Sequence, residues 1–355
     1  MSKMKIAIVT NKDHSPLGWG TTPQSVTVVA DVLRESDTKV YVLDVPDRKA
    51  LEEQHETIND MDLVWPNAYH YQEDEKVVSL PRSLESIGAR LIGPGSESLE
   101  TMLLKERCQE KLRDGGASTP KFVSVNGESP DEIERMINNV NLQYPVIVKS
   151  AEGSISRGIL PDSVKETKDE IPQYIERLRS KLGAGNILVE EYVDGPEFTV
   201  AILGNGDTQK IYAVYTVISD PRVTSRKYKF MDGETRPGGI IRGDITLEPV
   251  TKQEEVEKLK GVAEKVYSSL GLSDWTRFDG RFDKYGVPKV FDVNGMPGLS
   301  FDRSITPQQF SVLYPGKNKE EVFQGIVYSI VHSAATRHGI HPPPKLTKNA
   351  LYLHY

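Results

Sequence analysis

Asp279, Asp292 and Asn294 are the residues whose types and spacing best suit metal chemistry. They lie in RFDGRFDKYGVPKVFDVNGMPG, which reads as two adjacent strands joined by a short turn at Lys284 to Gly286. Side chains alternate faces along a strand, so Arg277, Asp279 and Arg281 share one face, while Asp292 and Asn294 share one face of the next. If both faces look into a cleft, three hard oxygen donors converge. Such a set suits Mg²⁺, which commonly bridges a few protein ligands to substrate phosphates. Alone, the stretch suits an ordinary hairpin of solvated acids with basic partners at least as well.

Two earlier segments add chemistry. PVIVKSAEGSISRGI, from Pro145 to Ile159, is a strand ending in Lys149 followed by a loop containing Gly153, Ser154, Ser156 and Gly158. Glycines let backbone N–H groups approach phosphate oxygens, and the hydroxyls and lysine supply further donors. The pattern GxxxxGK[ST] does not occur, so this is not a P-loop; a plain hairpin turn beside a lysine also fits. In ILVEEYVDGPEFTVAILG an apolar strand runs into the acidic segment Glu190, Glu191, Tyr192, Val193 and returns at Glu197. Exposed backbone there can hydrogen-bond an adenine edge, and a carboxylate can accept from ribose hydroxyls. The order of lysine, phosphate-type loop, acidic hinge and paired carboxylates is what favours nucleotide chemistry over three unrelated hairpins.

Those groups need elements to position them. The 355 residues, 37% hydrophobic and 27% charged, fit a globular enzyme of two or three domains. No apolar run approaches the ~20 residues of a spanning helix, and MSKMKIAIVT enters a strand without a secretory apolar region, so neither membrane insertion nor targeting is expected. The net charge of −7 argues against a nucleic-acid footprint. The seven histidines show no zinc-ligand spacing. Cys108 is the single cysteine, which makes a reducing compartment, the cytoplasm, the expectation and a packing role the better reading.

Residues 3 to 10 read as a buried strand, Gln24 to Glu35 as a helix and Lys39 to Val45 as a second strand, predicting a small parallel sheet. Gly18 and Gly20 between them lack the third glycine of a dinucleotide loop. Ser96 to Arg113 reads as one helix bridging two domains and closed by Gly115 and Gly116. SPDE at Ser129 to Glu132 is a capping box that starts a helix running to about Asn139. Strands at Pro145 to Lys149, Ile187 to Tyr192 and Glu197 to Gly204, with an intervening helix, predict antiparallel α+β structure. Lys258 to Leu270 reads as an amphipathic helix, Glu320 to His338 as the final helix, and HPPPK as a rigid exit.

With these motifs in this order the chain resembles the ATP-grasp superfamily, and within it the D-alanine:D-alanine ligases. PVIVKSAEGSISRGI resembles the strand and lid loop, LVEEYVDGPEFTVAILG the nucleotide hinge, and WTRFDGRFD with VFDVNGMPGLS the two metal-binding strands. The resemblance covers about residues 95 to 305. It implies an α/β and α+β fold of three domains: a parallel α/β domain (1–101), a central lid domain (102–195) and a C-terminal antiparallel-sheet domain (196–355), with ATP between the last two.

The resemblance further implies that Lys105 and Lys149 contact ATP phosphates, that Glu190 and the Glu191 and Val193 backbone hold adenine, and that Glu197 takes the ribose. Asp279, Asp292 and Asn294 would hold two Mg²⁺ ions, with Mn²⁺ as a substitute and Asp292 bridging. Arg277 and the Gly298 N–H would stabilise an oxyanion, and Lys227 and Tyr228 would close over the γ-phosphate. The implied reaction joins a carboxylate to an amine through an acyl phosphate. A homodimer is implied by the family alone.

The sequence departs from the family at the first-substrate segments, which read NKDHSPLGWGTTPQS and NAYHYQEDEKVVSLP here. The segment expected to bind the second substrate's carboxylate runs from Ser300 to Ser304, where Arg303 could grip it bidentately and Ser304 assist. The expectation is therefore an amino-acid ligase of altered substrate choice. A ligase for a non-amino-acid carboxylate and a non-catalytic ATP-binding regulator are the competing readings.

Overall fold

The apolar run KIAIVT forms β1 (Lys5–Thr10), which lies between the parallel strands β2 (Lys39–Asp44) and β3 (Leu63–Pro66). A central parallel strand is covered on both faces and so need not alternate in polarity. α1 (Pro23–Arg34), α2 (Arg48–Glu53) and α3 (His55–Asn59) connect these strands. A small hairpin of β4 (His70–Glu73) and β5 (Lys76–Ser79) leads into α4 (Leu80–Ser86). This is a computed structural model, and it describes residues 3–11, 23–74, 76–151, 162–183, 185–218, 245–302 and 304–354. Gly18, Gly20, Ser154, Ser156, Lys227, Tyr228 and Arg303 lie outside the described residues.

The expected single helix from Ser96 to Arg113 is two, α5 (Ser96–Leu103) and α6 (Lys105–Asp114). Leu104 between them is extended, with φ −107° and ψ 101°. The cause is a tertiary hydrogen bond: the Lys105 N–H donates to the Ala151 carbonyl at 3.1 Å instead of to a carbonyl one turn back. Helical periodicity carries no trace of that bond.

Next come β6 (Phe122–Val125), α7 (Pro130–Val140), β7 (Val146–Ser150), β8 (Val164–Lys165), α8 (Ile171–Leu182) and β9 (Ile187–Glu191). The Ser129 capping box starts α7 as the sequence predicts. The strands form an antiparallel sheet in the order β6, β9, β7, β8. Val146 and Val148 of β7 and Ile187 and Val189 of β9 pack on Ile133, Ile137, Ile175 and Leu178 of the two helices. Period-two alternation therefore turns Lys149 and Glu190 to the other face.

The last sheet is antiparallel, in the order β12 (Ile245–Pro249), β11 (Lys210–Ile218), β10 (Glu197–Leu203), β13 (Trp275–Phe282), β14 (Pro288–Asn294). α9 (Gln253–Ser269) covers one side, where Leu259, Val262 and Val266 meet Phe198, Val200 and Ile202 of β10. Ala201, Leu203, Tyr212 and Trp275 join a different core with α1 and β1. α10 (Ile305–Leu313) and α11 (Lys319–Arg337) belong to that second core.

α11 is not the final helix, and HPPPK is not an exit. α12 (Pro344–Asn349) follows, with proline in its first turn, where a fixed φ favours helix initiation. Leu346, Ala350, Leu351 and Tyr352 fold back into the core beside α11. Gly325 permits this approach: a Cβ there would lie 2.5 Å from Leu351 Cγ. Among the described residues no helix is long and apolar enough to cross a membrane.

A fully buried carboxylate joins the first and last parts of the fold. Asp274 Oδ2 accepts from the Gly93 N–H at 2.8 Å and from Arg337 Nη2 at 2.6 Å, and Oδ1 accepts from Asn205 Nδ2 at 2.8 Å and from Arg337 Nε at 3.0 Å. Arg337 Nη2 also donates to the Leu91 carbonyl at 2.8 Å. Removing one member of such a pair strands the other, so Asp274→Ala should lower stability by about 3–5 kcal/mol, read by urea denaturation.

Candidate active site

The β13–β14 register sets the two aspartates directly opposite one another and sets Arg277 opposite Asn294. The register shifts just beyond Asp279, so that Gly280 faces Val290 and Phe291 is the extra residue of a bulge. Arg277, Asp279, Asp292 and Asn294 therefore share one face of the paired strands. On the other side of β13, β10 places Thr199 opposite Asp279 and Glu197 opposite Arg281.

Asp279 is held at both oxygens. Thr199 Oγ1 donates to Oδ1 at 2.5 Å and Arg277 Nη2 donates to Oδ2 at 3.2 Å. Gln309 braces the Thr199 strand by donating to the Thr199 and Tyr212 carbonyls at 3.1 and 2.6 Å. Arg277 Nε and Asn294 Nδ2 are buried and have no hydrogen-bond partner among the described residues. Buried polar atoms are nearly always satisfied, so this facing pair is open to partners beyond the described residues. Two carboxylates and an amide are too few for an all-protein cage. They match the way Mg²⁺ is held when phosphates complete its shell, so the donor set fits the ion.

Across the cleft, Lys149 Nζ donates to Glu190 Oε1 at 3.0 Å, with both side chains buried. Gln109 of α6 donates to the other Glu190 oxygen. The Glu190 carboxylate, expected at adenine, is thus engaged with Lys149, the lysine expected at the phosphates. The Glu191 N–H, part of the expected adenine edge, donates to the Lys121 carbonyl at 2.9 Å. Phe291 from the bulge lies under Lys149, whose Nζ is 5.8 Å from the ring centre. Burial lowers the Lys105 pKa, and Lys149 pushes the same way, while the charges of Asp292 and Glu190 oppose both. Lys105 therefore senses Asp292, Lys149 and Glu190 electrostatically.

At the hinge, Arg281 is 4% exposed and makes four hydrogen bonds. Nε and Nη2 donate to Glu197 Oε2 at 3.0 and 2.8 Å. Nη1 donates to Tyr192 Oη at 2.7 Å and to the Val193 carbonyl at 3.1 Å. Gly195 is required here, because a Cβ would lie 1.9 Å from the Phe282 carbonyl oxygen. Beyond the metal hairpin, Ser304 Oγ accepts the Ser300 N–H at 2.9 Å and the Ser304 N–H returns to the Ser300 carbonyl at 3.0 Å. Gly298 lies against Ser304: a Cβ on it would sit 2.6 Å from Ser304 Oγ.

Some participants have no sequence signal. Tyr69, just before β4, packs beside Met296, whose main chain bonds its phenol. Burial raises its pKa, and the Asp292 charge adds to the rise. The segment NAYHYQEDEKVVSLP thus delivers an aromatic hydroxyl to the end of β14. Gln109 lies on an unremarkable polar helix. Thr199 could have been found, since it is two residues from Glu197 on a strand and so shares its face.

A family model for the D-ala D-ala ligase C-terminus matches residues 112–312, more than half of the chain. The chain belongs to the D-Ala-D-Ala ligase family. That span holds the hinge, Lys149 and the metal hairpin, while Tyr69 and Lys105 precede it. Among curated relatives of the family, a D-alanine–D-alanine ligase of Chromohalobacter salexigens is 29% identical over 234 residues, 65% of this chain and 66% of that protein. An uncharacterized protein, y4sG, of Sinorhizobium fredii is 26% identical over 242 residues, covering 67% and 66%. The chain thus spans just under two thirds of the length of these relatives. The crystal structure of D-alanine–D-alanine ligase from Bacillus anthracis superposes with a TM-score of 0.68 at 18% identity over 95% of this chain and 99% of that one. The fold is therefore that of the D-Ala-D-Ala ligases, ATP-grasp, as the sequence resemblance implies.

Cys108 adjoins this site without serving it. Burial pushes its thiol up to about 12, with the Asp292 charge adding to the effect. The thiolate is the reactive form. Native protein at pH 8 should therefore resist iodoacetamide and be labelled at one cysteine only after denaturation, as read by intact mass.

Proposed function

We propose that this chain is an ATP-dependent ligase that joins a carboxylate to an amine, with an amino acid as the amine. The carrying observation is the cross-strand pair Asp279 and Asp292, with Lys149, paired to Glu190, over Phe291 of the adjoining bulge and Lys105 within electrostatic reach of Asp292. The division into residues 1–101, 102–195 and 196–355, with ATP between the last two, is part of this reading.

Val193 and the neighbouring hinge backbone take the adenine edge and Glu197 the ribose hydroxyls. Lys105 and Lys149 neutralise the phosphates. Asp279, Asp292 and Asn294 would hold Mg²⁺, which would supply further positive charge near the phosphates. A substrate carboxylate oxygen attacks the γ-phosphorus, the bond to the β-phosphate oxygen breaks, and ADP leaves an acyl phosphate. The amine then attacks the acyl carbon and phosphate departs. The oxyanion between these events needs preorganised donors, and Arg277 with the Gly298 N–H fills that role. Thr199 and Arg277 hold Asp279 in place beforehand, which is the kind of positioning such a reaction relies on.

The substrates differ from a pair of D-alanines on this reading. Its support is the Tyr69 segment, which stands where the family's first-substrate residues would be. Measuring ADP release and product mass over a panel of acids and amines tests it. D-alanine as the best substrate at both positions would overturn the altered choice, and a best acid that is not an amino acid would widen the donor class. Asp279→Ala should reduce ADP release by at least about 10³-fold with an unchanged circular dichroism spectrum. Undiminished turnover in that variant would sink the ligase mechanism.

A further inference from the structure

Arg281 is four residues beyond Arg277 on the strand that carries Asp279, yet its hydrogen bonds go to the hinge and to Glu197 rather than to the metal residues. We propose that Arg281 is a positioning residue for nucleotide recognition, a clamp that fixes Glu197 for the ribose hydroxyls and locks the hinge at Tyr192 and Val193. This rests on the reading of the cleft as an ATP site.

The geometry is specific. Glu197 is only partly buried, and a lone carboxylate on a strand can adopt several rotamers. Two N–H groups of one planar guanidinium converge on its Oε2 and restrict that choice. The remaining arm, Nη1, reaches past the Glu197 strand to the Tyr192 hydroxyl and the Val193 carbonyl. The guanidinium carbon also lies 5.2 Å from the Tyr192 ring centre, a stacking distance. The same stretch is tightened by the Phe282 N–H, which donates to the Pro196 carbonyl at 3.1 Å, and by the close approach at Gly195. One side chain therefore couples the strand end that faces adenine to the carboxylate that faces ribose. A lysine has a single donor head and cannot span both sets. The charge of Glu197 alone would be met by either residue, but the orientation would not.

The test is direct nucleotide binding by the full chain, measured by calorimetry with ATP and with 2′,3′-dideoxy-ATP, which lacks both ribose hydroxyls. Wild type should bind ATP roughly 30-fold more tightly than the dideoxy analogue, the value of hydroxyl donors to an oriented carboxylate. In Arg281→Met that ratio should fall to about threefold or less. Arg281→Met combined with Glu197→Ala should lower it no further, the non-additivity expected of residues acting as a unit. A merely structural role would weaken both nucleotides equally and leave the ratio intact, and that result would overturn the clamp. If Arg281→Met does not fold, Arg281→Lys decides: a ratio reduced by about threefold supports the clamp and a wild-type ratio refutes it. Wild-type protein that binds no ATP at all would overturn both the clamp and the proposed ligase, whereas an unchanged ratio with intact binding removes the clamp alone.

Discussion

Two carboxylates placed directly opposite each other on neighbouring strands repel, and the sheet around Asp279 and Asp292 has to accommodate that repulsion. Arg277 and Thr199 absorb part of it at Asp279, and the partly buried ammonium of Lys105 faces Asp292 electrostatically. What is left is a surplus of negative charge on that face, which suits the divalent cation proposed above. Around it stand Gln309, which braces Thr199 from behind, Arg277 and Asn294 with polar atoms that lack partners among the described residues, Lys149 from a second sheet and Lys105 from a helix.

The opposing wall faces a related problem with another solution. Lys149 and Glu190 are both almost fully buried, where either charge alone would be costly, and Gln109 completes the set. Such a pair gives weak net stabilisation but a well-defined geometry. Its position relative to Lys105 is fixed by the main-chain bond from Lys105 to Ala151, the bond that breaks the long helix. Strain in helix continuity is thus exchanged for the relative placement of two cationic side chains.

Where the sequence was readable, the reason is short range. The alternation that puts Arg277 with Asp279, and Asp292 with Asn294, on a common face of their own strands depends only on period two. The Ser129 capping box depends on four consecutive residues. The strand and helix content of the first sheet follows from apolar runs. The failures are long range. The break at Leu104 comes from a carbonyl nearly fifty positions away, and the return of Leu351 onto Gly325 depends on a tail that reads as a stop. Tyr69, Gln109 and the Arg281 contacts acquire meaning only when distant elements are superposed. Thr199 is an intermediate case, visible once Glu197 is assigned to a face.

The shared core of the first and last sheets has an evolutionary corollary. Ile6, Ile8 and Val26 pack in the same cluster as Ala201, Tyr212, Trp275 and the α11 residues, and Trp65 meets Trp275 edge to face at 6.2 Å. The part of the chain that carries the Tyr69 segment is therefore not a detachable module. A chimaera spliced near residue 101 would mate two half-cores that were never selected together. Any change in the residues around Tyr69 must instead be accommodated on that shared interior.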